Sequence, residues 1–223
     1  MEYSDYSQWK GWLTHTPFGE LSDLQNQKYK LQLETLNIPY KKIKALEIGF
    51  GNGGFLKFLM NSKCMVEGVE IQASLLDAAK AIGIPAKNSI EDIEGSFELI
   101  AAFDVLEHLT INELHLFFKR CKSLLKDDGY MLFRFPNAES FAGLGAQNGD
   151  FTHITAIAQS KLDQLIKPHG LEIIAFQGEA EYPKKPIINA TRSIFRFILM
   201  KGMGIGSKHY FSTNVVAVIK HSQ

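Results

Sequence analysis

The chain has 223 residues, 45% of them apolar and 22% charged, the make-up of an ordinary globular protein long enough for one substantial core. Its 24 Lys and Arg balance its 24 Asp and Glu, so no net field draws it to nucleic acid, and two cysteines, Cys64 and Cys121, exclude a disulfide framework. No apolar run reaches the ~18 residues of a membrane span and the first residues lack the layout of a secretion signal, so the cytoplasm is the expected compartment.

Trp9, Trp12 and Phe18 precede a helix expected over 20–36; such an arm either closes over a pocket or pads the edge of a sheet. Ile43, Ala45, Leu46 and Ile48 then form an apolar approach that reads as a buried strand. It breaks into Gly49, Gly51, Gly53 and Gly54 before helical spacing resumes at Phe55–Met60. Glycines at such a turn let backbone pass close to a ligand, and the helix start behind them offers N–H groups and a positive dipole end. Gly49-x-Gly51-x-x-Gly54 fits the dinucleotide fingerprint, Gly49-x-Gly51-x-Gly53 fits a second pattern, and a tight turn with no ligand would look the same. Met65–Glu70 reads as a second strand ending in an acid, about 20 residues past the glycines, where a carboxylate accepts hydrogen bonds from ribose hydroxyls.

Further elements alternate. A helix is expected over 72–82, a third strand at Ile84–Lys87, a fourth at Phe97–Phe103 and a helix over 111–125 with Leu114, Phe117, Phe118, Cys121, Leu124 and Leu125 on one face. Asp127-Asp128-Gly129 is read as its end, followed by strands at Tyr130–Phe135, Leu171–Phe176 and Asn214–Ile219, with a helix over 159–168 between the first two. This alternation argues for an α/β protein with a doubly wound parallel sheet. The chain divides into an arm (1–40), a core (41–180) and an insertion (181–209) within one expected domain.

The insertion is asymmetric in charge: no acid follows Glu181, whereas Lys184, Lys185, Arg192, Arg196, Lys201, Lys208 and Lys220 are basic. Ile194, Phe195, Phe197, Ile198, Leu199 and Met200 fill most of a helix over 191–201. Such a helix docks on the protein's own sheet with its arginines outward, or 184–208 meets a membrane surface, an anionic or lipid-linked acceptor, or a second copy of the chain.

Six segments in register over roughly 40–220 resemble the class I S-adenosylmethionine-dependent methyltransferases. More narrowly, they resemble the small bacterial-type group that includes the ubiquinone-biosynthesis O-methyltransferases and many cell-surface polysaccharide methyltransferases. These segments are Glu47-x-Gly49-x-Gly51-x-Gly53, Glu70, Asn88-Ser89-Ile90-Glu91-Asp92, Asp104-Val105-Leu106-Glu107-His108-Leu109, Leu124–Tyr130 with Phe135-Pro136-Asn137, and His153 ahead of the 159–168 helix. The resemblance implies a Rossmann-like sheet of seven strands, mostly parallel with the last antiparallel, and S-adenosylmethionine as cofactor. It assigns Glu47 to the cofactor's ammonium, the backbone of Gly49, Phe50, Gly51, Asn52 and Gly53 to its carboxylate, and Glu70 to its ribose. Ile71, Ser89 and Ile90 fall beside the adenine, with Phe103 and Asp104 facing the sulfonium and the acceptor. The group often carries an acid for the adenine amino group; here Asn88, Ser89, Glu91 or Asp92 stands in that region.

An oxygen acceptor must lose a proton, which makes His108 and His153 the candidate bases beside Asp104. If 104–108 is helical, Asp104, Glu107 and His108 share one face. Glu107, His108 and His153 are residue types a divalent metal accepts, but their spacing is not diagnostic and no metal is expected. Two rivals remain: a nicotinamide-dependent oxidoreductase, for which neither a suitable Tyr-x-x-x-Lys nor a second substrate domain is present, and a cofactor-binding module without transferase activity.

Overall fold

The structure is a computed structural model that describes residues 17–180, 186–204 and 211–222, apart from the side chains of 186–189, 192 and 203. Trp9 and Trp12 lie outside the described residues. Seven strands form one sheet in the order β3-β2-β1-β4-β5-β7-β6. These are β1 (Lys44–Ile48), β2 (Met65–Val69), β3 (Ala86–Lys87), β4 (Phe97–Phe103), β5 (Leu125–Pro136), β6 (Leu171–Gly178) and β7 (Asn214–His221). The first five pair in parallel, while β7 runs antiparallel to both β5 and β6, as the resemblance implied.

Central strands of a parallel sheet are covered on both faces, so they read as continuous apolar runs. Period-2 alternation sends Leu46, Ile48, Ile100, Ala102, Phe133 and Ala217 into one core and Ala45, Leu99, Ala101, Leu132 and Val218 into another. The first core is capped by α4 (Ile111–Leu124) and α6 (Gln159–Ile166), with the short α5 (Leu144–Asn148) between them in the chain; the second by α1 (Asp23–Thr35), α2 (Gly54–Asn61) and α3 (Ala73–Ala81). Local sequence sets the helix starts: Ser22 with Gln25 and Thr110 with Glu113 form reciprocal capping boxes at α1 and α4. The predicted face of α4 is buried at Leu114, Phe117, Phe118, Cys121 and Leu124. Both cysteines are free thiols.

Two expectations are corrected and a third is narrowed. Asp127–Gly129 does not end the helix; α4 stops at Leu124 and β5 starts at Leu125, with an irregular register opposite Phe97 and Leu99. Residues 104–108 are not α-helical: Asp104 sits at φ 57° and only Leu106–His108 form a short 3-10 turn, so a shared helical face does not exist. The 191–201 segment does form a helix, α7 (Pro186–Met203). Its Ile194, Phe195, Phe197 and Ile198 are 60–62% exposed, so these side chains do not dock on the sheet. Among the described residues no helix is long and apolar enough to cross a membrane.

Candidate active site

In a doubly wound sheet the ligand crevice opens at the carboxyl ends of strands where the winding reverses, here between β1 and β4. Three cavities of about 450, 570 and 300 Å³ meet there, and Asp104 lines all of them. The fold thus delivers one residue at a strand end to three compartments, and the left-handed backbone of Asp104 turns the chain between them.

The glycines of the β1–α2 turn are conformational requirements: Gly49, Gly51 and Gly53 have φ of 68°, 53° and 72°. A Cβ on Gly49 would lie 2.5 Å from Val105 Cγ2, and one on Gly53 2.5 Å from Phe18 Cζ. Asn52 lines the 570 Å³ cavity with Glu47, and so does Phe50, whose ring packs over Gly68. Residues 17–29 form the opposite wall of this cavity. The Gly19 N–H donates to Asn52 O at 2.8 Å, the Phe18 ring meets Phe50 edge-on, and Glu20, Ser22, Gln25 and Tyr29 line the space.

Glu47 projects from β1 with 3% of its surface exposed, and its Oε2 has no hydrogen-bond partner among the described residues. Burial pushes its carboxyl well above the usual range, against the opposing pull of a Leu56 backbone hydrogen bond and the Arg134 charge. A buried carboxylate with an unused oxygen is a seat for a cationic group, as the ammonium of an amino-acid ligand would supply.

Glu70 follows β2. Its Oε2 accepts from Gly51 N–H at 3.0 Å, and its Oε1 accepts from the N–H groups of Ile71 and Gln72 at 2.8 and 3.0 Å. The carboxylate therefore ties the glycine turn to the start of α3 while lining the 450 Å³ cavity. Ile71, Asn88, Ser89, Ile90 and Phe103 complete that wall. Ile71 is 62% exposed, an apolar surface suited to a flat base. Of the acids near the adenine region, Glu91 turns to Arg120 at 3.5 Å and neither it nor Asp92 is a lining residue, leaving Asn88 and Ser89 there.

Several participants were not singled out from the sequence. Arg134 on β5 pairs with Asp104, with Glu179 at 3.0 Å, and lies 5.1 Å over the Phe103 ring. Glu179 also meets Lys28 of α1 at 2.7 Å. Tyr29 stacks on Phe103, and burial together with the Glu47 charge raises its phenol. Their spacing along the chain has no motif; only the sheet order assembles them.

The 300 Å³ cavity holds Glu107, Asp150, His153, Pro136 and Asn214 beside Asp104. The 106–109 turn and the 150–155 loop are stitched together: Thr155 N–H donates to Glu107 O at 3.0 Å and its hydroxyl donates to Leu109 O at 2.6 Å. His108 Nδ1–H donates to Thr152 O at 3.1 Å and His153 Nδ1–H donates to Ala146 O at 2.9 Å. A carbonyl can only accept, so in each neutral ring Nε2 carries the lone pair. The rings meet edge-on at 4.7 Å, and His153 Nε2 lies 3.9 Å from Glu107 Oε1. The structure thus brings together both candidate bases, and His153 is a mostly buried side chain in a loop whose composition reads as surface.

A cleft with an unsatisfied anion at one end and a carboxylate against an apolar wall at the other suits S-adenosylmethionine, and the molecule is a class I methyltransferase that uses this donor. Residues 22–175 match the family described as methyltransferase domain, and the chain belongs to it. It is 25% identical over 178 residues to the ubiquinone biosynthesis O-methyltransferase of Coxiella burnetii (strain RSA 493 / Nine Mile phase I), covering 70% of this chain and 75% of that protein. A SAM-dependent methyltransferase from Archaeoglobus fulgidus has a similar fold, with a TM-score of 0.65 and 18% identity over 88% of this chain and 94% of that one. Another, from Clostridium acetobutylicum ATCC 824, gives 0.62 and 11% identity over 99% of both.

Proposed function

We propose that the protein methylates an oxygen atom of a small or carrier-linked acceptor bound in the 300 Å³ cavity. The observation that carries this reading is His153, which lines that cavity with Asp104 and donates Nδ1–H to the Ala146 carbonyl so that its Nε2 can take a proton; His108, whose ring meets it edge-on, lines the adjoining 450 Å³ cavity. Oxygen nucleophiles need that proton removed, and the relative from Coxiella burnetii, named as an O-methyltransferase, supports the same atom.

S-adenosylmethionine supplies an already activated methyl group, so the chain's own work is binding, alignment and exclusion of water. Glu47 would hold the ammonium, the backbone of the Gly49–Gly53 turn the carboxylate, Glu70 the ribose, and Ile71, Ser89 and Ile90 the base. Asp104 stands where the donor cavities meet the acceptor cavity, Phe103 lines the two donor cavities beside it, and Arg134 keeps the Asp104 carboxylate turned to β5.

The exposed apolar side of α7, in a segment without acids after Glu181, supports an acceptor that is anionic or attached to a lipid or other carrier. The test is formation of S-adenosylhomocysteine with a panel of hydroxylated, phosphorylated and sugar acceptors, followed by mass analysis of the product. An O-methyl product is expected; an N- or C-methyl product overturns the reading.

A further inference from the structure

The wall that Asn88, Ser89 and Ile90 give to the 450 Å³ cavity hangs from little regular structure. β3, which leads into it, is two residues long and lies at the edge of the sheet. The chain then makes a single 3-10 turn, Ile90–Asp92, which Ser89 caps by accepting the Glu91 N–H on its hydroxyl at 3.2 Å. So short a turn makes few hydrogen bonds of its own and leaves carbonyls to be satisfied from outside. We infer that Arg120 of α4 is the positioning residue for this wall and, through it, sets the affinity for the adenine end of the donor.

Arg120 reaches the turn from behind and does not itself line the cavity. Its Nε donates to Ile90 O at 3.3 Å, and its Nη2 donates to Glu91 O at 3.2 Å and to Ile93 O at 2.5 Å. One guanidinium thus gathers three carbonyls of one turn, a geometry that suits its rigid fork and not the single point charge of a lysine. Its Nη1 donates to Ser123 Oγ at 3.3 Å, and that hydroxyl donates to Arg120 O at 2.7 Å, so the side chain is steadied from its own helix. Ile93 is buried in the first core and Ile90 packs against that core, so the turn is pinned between α4 and the sheet. The carbonyl bonds matter more here than the ion pair. The Glu91 carboxylate is 3.5 Å from Nε but its side chain is 71% exposed, where a pair contributes little.

The inference rests on the placement of the base against Ile71, Ser89 and Ile90 and deepens it. Neither Glu91 nor Asp92 lines this wall, so a flat base there is held largely by contact. Contact energy is short-ranged, and a gap of about 0.5–1 Å forfeits a quarter to a half of it. Small movements of the 88–93 segment therefore act on the whole ring, and Arg120 is the side chain placed to suppress them.

The experiment measures S-adenosylhomocysteine and adenosine binding by calorimetry, together with amide hydrogen exchange on the free protein. Arg120→Met is expected to weaken both ligands by the same factor, about tenfold, the scale of lost hydrogen bonds to a charged group. The Asp92 and Ile93 amides, bonded to Ser89 O and Ile90 O, are expected to lose protection while those of β1 keep theirs. Arg120→Lys is expected to recover only part of the affinity, and Glu91→Gln to stay within about twofold of the wild-type protein. Undiminished affinity in Arg120→Met, an equal loss in Glu91→Gln, or loss of protection that spreads to β1 overturns the inference. Ile90→Ala tests the placement of the base by itself. Wild-type affinity in Ile90→Ala beside a loss in Arg120→Met overturns that placement at Ile90 and leaves the role of Arg120. A loss in Ile90→Ala alone leaves the placement and overturns the role of Arg120.

Discussion

Asp104 and Arg134 are joined twice across the neighbouring strands β4 and β5. The Asp104 N–H donates to Arg134 O at 2.9 Å, and the Arg134 guanidinium donates back to both carboxylate oxygens, from Nε at 3.1 Å and from its terminal nitrogen. The second link holds a left-handed residue in place at the point where three cavities meet.

Arg134→Met is therefore expected to loosen this junction. Asp104 and Glu179 would lose their shared cation, and Glu47 the nearby positive charge that opposes its protonation. Because Asp104 is partly exposed, the stability loss is modest, about 1–2 kcal/mol in denaturant unfolding. Donor affinity measured by calorimetry should fall as well; an unchanged affinity would remove Arg134 from the site.

Glu47→Gln separates stability from binding. The raised carboxyl means that, above the ordinary value of 4.5, the folded protein holds its proton more tightly than the unfolded chain. Stability contributed at this group is therefore lost as pH rises from that value through the raised one. The variant should show a flatter fall of Tm with pH in the free protein. It should also bind S-adenosylmethionine about 1.5–3 kcal/mol more weakly, the scale of a hydrogen bond to a charged group. Tighter binding by the variant would contradict the ammonium assignment.

Glu70→Ala should weaken S-adenosylmethionine binding by about 1–3 kcal/mol through lost charge-assisted hydrogen bonds. It should also lower Tm, because three backbone N–H groups lose their acceptor. A drop in Tm without a drop in affinity would leave Glu70 a purely structural tie.

Gly53 and Phe18 offer a coupling test. Gly53→Ala adds a Cβ against the Phe18 ring and imposes a left-handed conformation that costs about 1–2 kcal/mol by itself. In a Phe18→Ala background the steric part disappears, so the same substitution should cost less. Equal costs in both backgrounds, measured by urea unfolding, would show that residue 18 does not close over the glycine turn.

Much of the donor side was legible in the sequence because its signals are local. Gly49, Gly51 and Gly53 are demanded by backbone conformation, and Glu70 follows from its distance to them along one β–α–β unit. The Thr110–Glu113 capping box and the spacing of Leu114 to Leu124 likewise lie within one helix. Tyr29, Arg134 and Glu179 meet only because α1, β5 and β6 converge, and no sequence period carries that information. The helical reading of 104–108 failed for a related reason. Spacing is compatible with a helix there, but the pairing of Asp104 N–H with Arg134 O keeps the chain extended into a left-handed turn.

The strand order β5-β7-β6 has a consequence for how this protein can change. Glu179, just past β6, donates its N–H to the O of Asn214, the first residue of β7, at 3.2 Å. The described ends of the intervening stretch are thus tied together at the sheet, beside a cavity that Asn214 lines. A loop closed at its base can be lengthened at small entropic cost, by about 0.6 kcal/mol per doubling. Changes of length within that stretch are therefore expected to cost the fold little so long as the Glu179–Asn214 bond is kept, because the loop is closed at that point.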